Sequence, residues 1–364
     1  MSPGLAEPSG WRRRARFTLV GLAYVAASVG VGIAWLGLDL HLRVRHRGVM
    51  VVHEATVPGL VYGTAAKPFV LRTLVPSTVR LIREAIPEPT ARRWWLKILR
   101  RWPGLSEALP ELEWEQEFLL EYLIAVAVMQ ACLVGFLLGL RALYRELYGG
   151  AAWPADVVPL VAAATLPFFF RVGAHFLYDF ATLLFVTLGL LLMERRRWAL
   201  YYPVFAVALL NKETLALLTL VFAVRHFPSM PRATWTAHLV AQAAIVAAVR
   251  AWLLFVFRFN PRGAFRWFWD RNLAAMRERG VDVPTAVLFG VLLLAVILCW
   301  RREAPLMKAA LVMVPPLAVA YLVFGIYGEI RLFYEIVPTG VLWAFNAGLQ
   351  LAGAPVAPRA PSTA

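Results

Sequence analysis

Several stretches of this chain place ionisable side chains where the flanking sequence is almost wholly apolar. The sharpest is Asn211-Lys212-Glu213, set between ALYYPVFAVALL and, after Thr214, LALLTLVFAV. His175 and Asp179 stand in HFLYD, four residues apart, so they share a face if that segment is helical. Glu329 and Arg331 stand in GEIRLFYEIVP, and Arg72 in KPFVLRTLVP. Between the first apolar run and Arg72 stand two carboxylates: Asp39, and Glu54 in VVHEATVPG. These residue types can do acid–base work and hold an anion. A positioned carboxylate takes a proton from an attacking hydroxyl, and Arg or Lys stabilises negative charge as it develops. Both must lie on one face, beside lipid, to act together.

The elements that position them are membrane helices. The chain is 60% hydrophobic and 16% charged, whereas soluble domains are nearer 45–50% and about 25%. Apolar runs cover about 17–38, 118–140, 155–170, 178–193, 199–210, 213–224, 236–257, 284–300, 306–326 and 333–352. Several reach the roughly 18–20 residues that cross a bilayer. The expected fold is therefore an all-α polytopic bundle of about ten spans, one transmembrane domain over 1–352. A long outer loop occupies 39–117, and a Pro/Ala-rich tail over 353–364 is expected to be disordered.

The net charge of +15 does not point to nucleic acid, because the basic residues flank apolar runs and suit lipid head groups. Two cysteines, Cys132 and Cys299, lie within apolar runs and do not suggest a disulfide framework. No metal-ligand spacing occurs, and no metal or cofactor is expected. Arg12, Arg13, Arg14 and Arg16 before the first span, with Arg141, Arg145 and Arg195–Arg197 in later loops, place the N-terminus in the cytoplasm. The run after the first arginines is longer than a signal-peptide core and lacks a clear cleavage site, so it is expected to remain as a helix.

Residues 199–224 are the ambiguous segment. One helix would be about 39 Å long with Asn-Lys-Glu at mid-membrane. Two pieces would each be about 18 Å, short of a bilayer core but acceptable if the turn meets a polar cavity. Two short helices with an outer turn are expected. With ten spans, Asp39, Glu54, Arg72, His175, Asp179, Asn211, Lys212, Glu213, Glu329 and Arg331 gather on the outer side. The outer loop also carries two amphipathic segments, KPFVLRTLVPSTVRLIREAI and ARRWWLKILRRW, of a kind that lies in the membrane interface.

In order, KPFVLRTLVP, HFLYDFATLLFVTLGLLLMERRRW, LNKETLALL and GEIRLFYEIVP resemble a broad set of bacterial membrane proteins related to the GT-C glycosyltransferases. The resemblance implies transfer of a sugar from a polyprenyl-phosphate donor to a lipid, glycan or protein acceptor, outside the cytoplasm, by a protein of the bacterial inner membrane. It implies an acidic catalytic residue in the first outer loop: Glu54 first, with Asp39 nearly equal. Here the chain departs from the better-known members, since this loop has no Asp-Glu pair and no D-x-D. Lys212 would face the lipid phosphate, with Glu213 or Asn211 on the sugar, and Arg72 and Arg331 would grip phosphate. Asp179 would orient His175 or bind a sugar hydroxyl.

Each residue also has a plain structural reading. Arg72 and Lys212 can snorkel to head groups. Asp179 suits a helix N-terminus, and Asn211 with Thr214 can cap the next helix. Glu329 and Arg331 can form a structural ion pair, and Glu54 can be an ordinary loop carboxylate. Two other function classes remain open beside the enzyme. A transporter would carry inverted repeats and polar residues reachable from both faces, neither of which is evident. A non-catalytic scaffold of GT-C shape is the other. Membrane lipids are expected partners in each case, and the pattern carries no sign of oligomeric state.

Overall fold

The computed structural model describes residues 10–45, 55–111, 114–170, 176–262, 267–354 and 356–359. Among them the regular elements are all helical, apart from one isolated bridge between Tyr148 and Pro358. The first, α1 (Gly10–Arg45), leads to the short α2 (Val57–Val61), α3 (Leu74–Glu84), α4 (Glu88–Arg101) and α5 (Pro103–Glu111). Next come α6 (Leu119–Leu147), α7 (Trp153–Thr165), α8 (Asp179–Glu194), α9 (Trp198–Asn211) and α10 (Leu218–His226). The chain closes with α11 (Arg232–Val256), α12 (Trp269–Arg279), α13 (Val283–Cys299), α14 (Pro305–Ala310), α15 (Val314–Phe324) and α16 (Val337–Leu351).

Among the described residues six segments are long and apolar enough to cross a membrane: Arg14–Leu36, Gln116–Leu147, Trp153–Phe170, Arg232–Val256, Val283–Arg302 and Pro305–Phe324. Helices suit such runs because every backbone N–H and C=O finds its partner inside the segment. Many of their apolar side chains face outward, among them Leu22, Ile33, Phe255, Leu293 and Ile297, as expected of surfaces that meet lipid. The remaining apolar helices α8, α9, α10 and α16 have 16, 14, 9 and 15 residues.

At the centre, α6 packs on α8 through small residues. A Cβ at Gly139 would lie 3.3 Å from the Thr187 methyl, and one at Gly135 would lie 3.1 Å from Leu184 Cδ1. Close approach of this kind replaces the hydrophobic effect where the surroundings are lipid.

Polar contacts define the two ends of the bundle. At one end, Asp156 at the start of α7 receives Arg141 from α6 (Nε–Oδ1 2.7 Å) and Arg16 from α1 (Nε–Oδ2 2.8 Å). Arg195 holds Glu146 at 2.6 Å, and Arg225 holds Glu194 at 3.0 Å, at the same end. At the opposite end, the segment before α3 is clamped by the segment after α11: Asn260 donates to the carbonyls of Gly63 (2.7 Å) and Ala65 (3.0 Å), and Lys67 to that of Arg258 (3.0 Å). There too Asn272 of α12 donates to the carbonyls of Leu322 and Gly325 at the end of α15, both at 2.9 Å.

Four expectations meet particular outcomes. The apolar segment 199–224 breaks at Lys212, whose backbone is extended (φ −159°, ψ 135°) between α9 and a 3-10 turn over Glu213–Leu217. No Pro or Gly causes the break. The Asn211 amide, which donates to the Tyr178 carbonyl and the Thr182 hydroxyl, both at 3.0 Å, anchors the chain there. Asp39 follows the first apolar span, Arg14–Leu36, within α1, which continues to Arg45. α8 begins at Asp179; His175, like Glu54, lies outside the described residues. The tail is ordered at 356–359. Gly149 N donates to the Ala357 carbonyl (3.2 Å) and Arg359 N to the Leu147 carbonyl (2.9 Å), which supplies a partner that the last turn of α6 lacks within its own helix.

Candidate functional site

The site-end charges come from four separated stretches and meet in one buried network. Arg72 follows a 3-10 turn over Phe69–Leu71 and points back into the bundle with its side chain 12% exposed. It binds Glu213 through two parallel bonds, Nε–Oε2 3.2 Å and Nη2–Oε1 2.7 Å, a geometry that matches guanidinium to carboxylate. Its third arm donates to the Tyr178 hydroxyl. Burial alone would lower the Arg72 pKa; the Glu213 carboxylate reverses that and raises it above the ordinary arginine value.

Beside this pair, Arg331 donates to Glu329 and lies 3.7 Å from Asp179. Asp179 also accepts from the backbone N–H of Phe176 (3.3 Å), which ties the start of α8 to the preceding chain. Glu329 accepts from the backbone N–H of Ile326 (2.9 Å) in the same way. Beneath them Lys212 pairs with Glu335 at 2.8 Å, both almost wholly buried, and Thr214 donates to the same carboxylate. Asn211 and Thr214 therefore do not cap the next helix; each spends its side chain on tertiary contacts.

An aromatic stack supports the guanidinium groups. Phe69 lies on Phe176 (5.0 Å between ring centres), and Phe176 on Tyr178 (5.1 Å). Arg331 sits 4.3 Å above the Phe176 ring and Arg72 4.4 Å above that of Tyr178, within cation–π range. Phe176 also lines a cavity of about 60 Å³, with Trp35, Trp114, Tyr122 and aliphatic neighbours.

Counted as ions, the network holds Arg72, Lys212, Arg250 and Arg331 against Asp179, Glu213, Glu329 and Glu335. The charges balance, but the hydrogen bonds do not. Arg250 Nη1 is 4.0 Å from Glu213 and makes no hydrogen bond, and Arg331 Nε is likewise buried without an acceptor. Oxygens of Asp179 (Oδ1), Glu335 (Oε2) and Asn211 (Oδ1) are buried without a donor. Groups left so cost about 1–3 kcal/mol each unless a ligand or water completes them. Among the described residues no three His, Cys, Asp or Glu side chains gather to hold a metal ion.

Six of the ten residues singled out by sequence thus lie together with Asn211: Arg72, Asp179, Lys212, Glu213, Glu329 and Arg331. Asp39 is placed only as a helix residue, and Glu54 and His175 are outside the described residues. Sequence reasoning gave no role to Tyr178, Arg250 or Glu335. Signals existed for the last two: Arg250 interrupts the apolar run AAIVAAVRAWLLFV, and Glu335 sits in LFYEIVP, where an ionisable residue among apolar ones asks for a partner. Comparison of the chain with protein-family models, with curated proteins and with solved structures finds no match.

Proposed function

We propose that this chain is a membrane glycosyltransferase of GT-C type that takes a sugar from a polyprenyl-phosphate donor at the extracytoplasmic face of the bacterial inner membrane. In this reading α1, α6, α7, α8, α9, the 213–226 segment, α11, α13, α14–α15 and α16 make ten passes. The arginine-rich end with Arg16, Arg141 and Arg195 is cytoplasmic, with the N-terminus on that side, and the charged network is outside. The four shorter helices cross because their ends meet protein polar groups and not lipid.

The observation that carries the reading is the pair of buried guanidinium N–H groups, on Arg250 and Arg331, that have no acceptor within a network joining four stretches of chain. Hydrogen-bond donors with fixed positive charge and no acceptor suit an anionic ligand, and a lipid phosphate reaches them from the side of the bundle. Arg250 and Glu213 are 29% and 31% exposed in their side chains, so this rim is where the phosphate enters. Glu213 then yields Arg72 to the phosphate. An acceptor hydroxyl attacks the anomeric carbon, its proton passes to a carboxylate, the bond from that carbon to the phosphate oxygen breaks, and polyprenyl phosphate leaves on the arginines. The proposed base is Glu54 of the first outer loop or Asp39 of α1.

Radiolabelled transfer from a panel of polyprenyl-phosphate sugars in reconstituted membranes tests this. Wild type is expected to transfer with at least one donor, and Arg72→Ala, Lys212→Ala and one of Glu54→Gln or Asp39→Asn are expected to lose at least about tenfold. No transfer with any donor, or equal transfer by all variants, overturns it. A second reading, a non-catalytic membrane scaffold, is favoured by the balanced count of four cations and four carboxylates, and the first of those outcomes supports it.

A further inference from the structure

The cations at the outer end divide into two sets. On α3, Arg80 holds Glu84 at 2.7 Å and Arg83 holds Glu88 at 2.6 Å. Arg83 also lies 3.3 Å from Glu121, which joins α3 to the first turn of α6. On α4, Arg92, Arg93, Lys97, Arg100 and Arg101 are all exposed, and among the described residues none has a carboxylate partner. The only acid of that helix, Glu88, is already taken by Arg83.

The apolar face of α4 is not free for lipid. Ala91 is buried, Trp95, Ile98 and Leu99 are partly covered, and the Trp95 ring N–H donates to the Gln116 carbonyl at 2.9 Å just before α6. Spacings of four, three and one put Ala91, Trp95, Ile98 and Leu99 on one face. The same spacing from Arg93 puts Lys97, Arg100 and Arg101 on another, where with Leu96 they line an open groove of about 540 Å³. Exposed Trp94 and Trp102 flank it. Tryptophan at the head-group level is the usual companion of a surface that meets a bilayer.

We infer that the groove formed by Arg93, Leu96, Lys97, Arg100 and Arg101 on α4 binds the head group of an anionic phospholipid from the outer leaflet. An unneutralised row of cations attracts acidic head groups, the apolar face is already docked on the protein, and α4 is tied to the membrane-entry end of α6. This holds whether or not the neighbouring site transfers sugar.

The purified full chain, delipidated in detergent, is titrated with phosphatidylglycerol or phosphatidylcholine and bound lipid is counted by native mass spectrometry. Wild type is expected to bind phosphatidylglycerol at least about tenfold more tightly. The variant Arg93→Gln, Lys97→Gln, Arg100→Gln, Arg101→Gln is expected to lose that preference. Folding is checked by its thermal unfolding in phosphatidylcholine, which should match wild type because these side chains make no ion pair. A control, Arg271→Gln, Arg277→Gln, Arg279→Gln on α12, is expected to keep it. The inference is overturned if wild type shows no preference, if the α4 variant keeps it, if the α12 control loses it equally, or if inorganic phosphate abolishes it as a free-anion competitor.

Discussion

Lys212 and Glu335 are the most deeply placed opposite charges of the network, 4% and 1% exposed in their side chains. Such a pair roughly offsets its own desolvation, but removing one partner strands the other, at a cost of about 3–5 kcal/mol. Lys212→Met is therefore expected to lower the unfolding temperature sharply, and Lys212→Met with Glu335→Leu to recover most of the loss, as read by thermal unfolding in detergent. A second buried acid lies at the other end. Glu303, between α13 and α14, receives Tyr148, Asn346 and the backbone N–H of Ala304. Burial pushes its carboxyl up to about 7 from 4.5, against the opposing pull of the Asn346 and Ala304 bonds. The unfolded chain releases that proton near the ordinary value while the folded chain retains it, so stability falls as pH rises between those values and levels off above. The fall is roughly 3 kcal/mol, and Glu303→Gln is expected to flatten the profile of unfolding temperature against pH across that window. At this scale the sequence marked charges that must be partnered. It could not name the partners, since Arg72 finds Glu213 across 141 positions and Lys212 finds Glu335 across 123.

Among the elements, hydropathy alone located the long apolar helices, and their basic ends lie where loop arginines were expected. It could not locate the cause of the break at 212, because Asn211 is anchored on Tyr178 and Thr182 of a neighbouring helix, a contact that no local signal carries. Asp39 shows a related limit: α1 runs past the apolar stretch to Arg45, and apolar length does not mark where a helix stops in the interface. Packing of the central helices was likewise hidden. Gly189 of α8 leaves room for Leu218 beside the broken pair, and a Cβ there would meet it at 2.6 Å. Leu218 is itself buried, so Gly189→Val overpacks the contact and is expected to cost about 1–3 kcal/mol, measured as a lower unfolding temperature with the helical circular-dichroism signal retained.

For the whole molecule, the contacts separate an arginine-rich end from an end that collects the network, the α3–α5 helices and α12. Ten passes follow if each apolar helix runs from one end to the other. Single cysteines at Glu88 and at Glu146, in a chain whose Cys132 and Cys299 are replaced by serine, test that arrangement. A membrane-impermeant maleimide applied to intact cells is expected to label Glu88→Cys and to leave Glu146→Cys unlabelled until the membrane is opened. Labelling of both from outside, or of Glu146→Cys alone, contradicts the orientation.

The central claim is that the cations gathered in the buried network receive a lipid phosphate, and binding of polyprenyl phosphate tests it without a need to know the sugar. Titration of the purified chain with polyprenyl phosphate, against the uncharged polyprenol as reference, should show preference for the phosphate in wild type. Arg72→Gln and Arg250→Gln should each weaken phosphate binding by at least about tenfold, the worth of a charge-assisted contact, while leaving the polyprenol unaffected. Equal binding of phosphate and alcohol by wild type, or undiminished phosphate binding by both variants, would contradict the account.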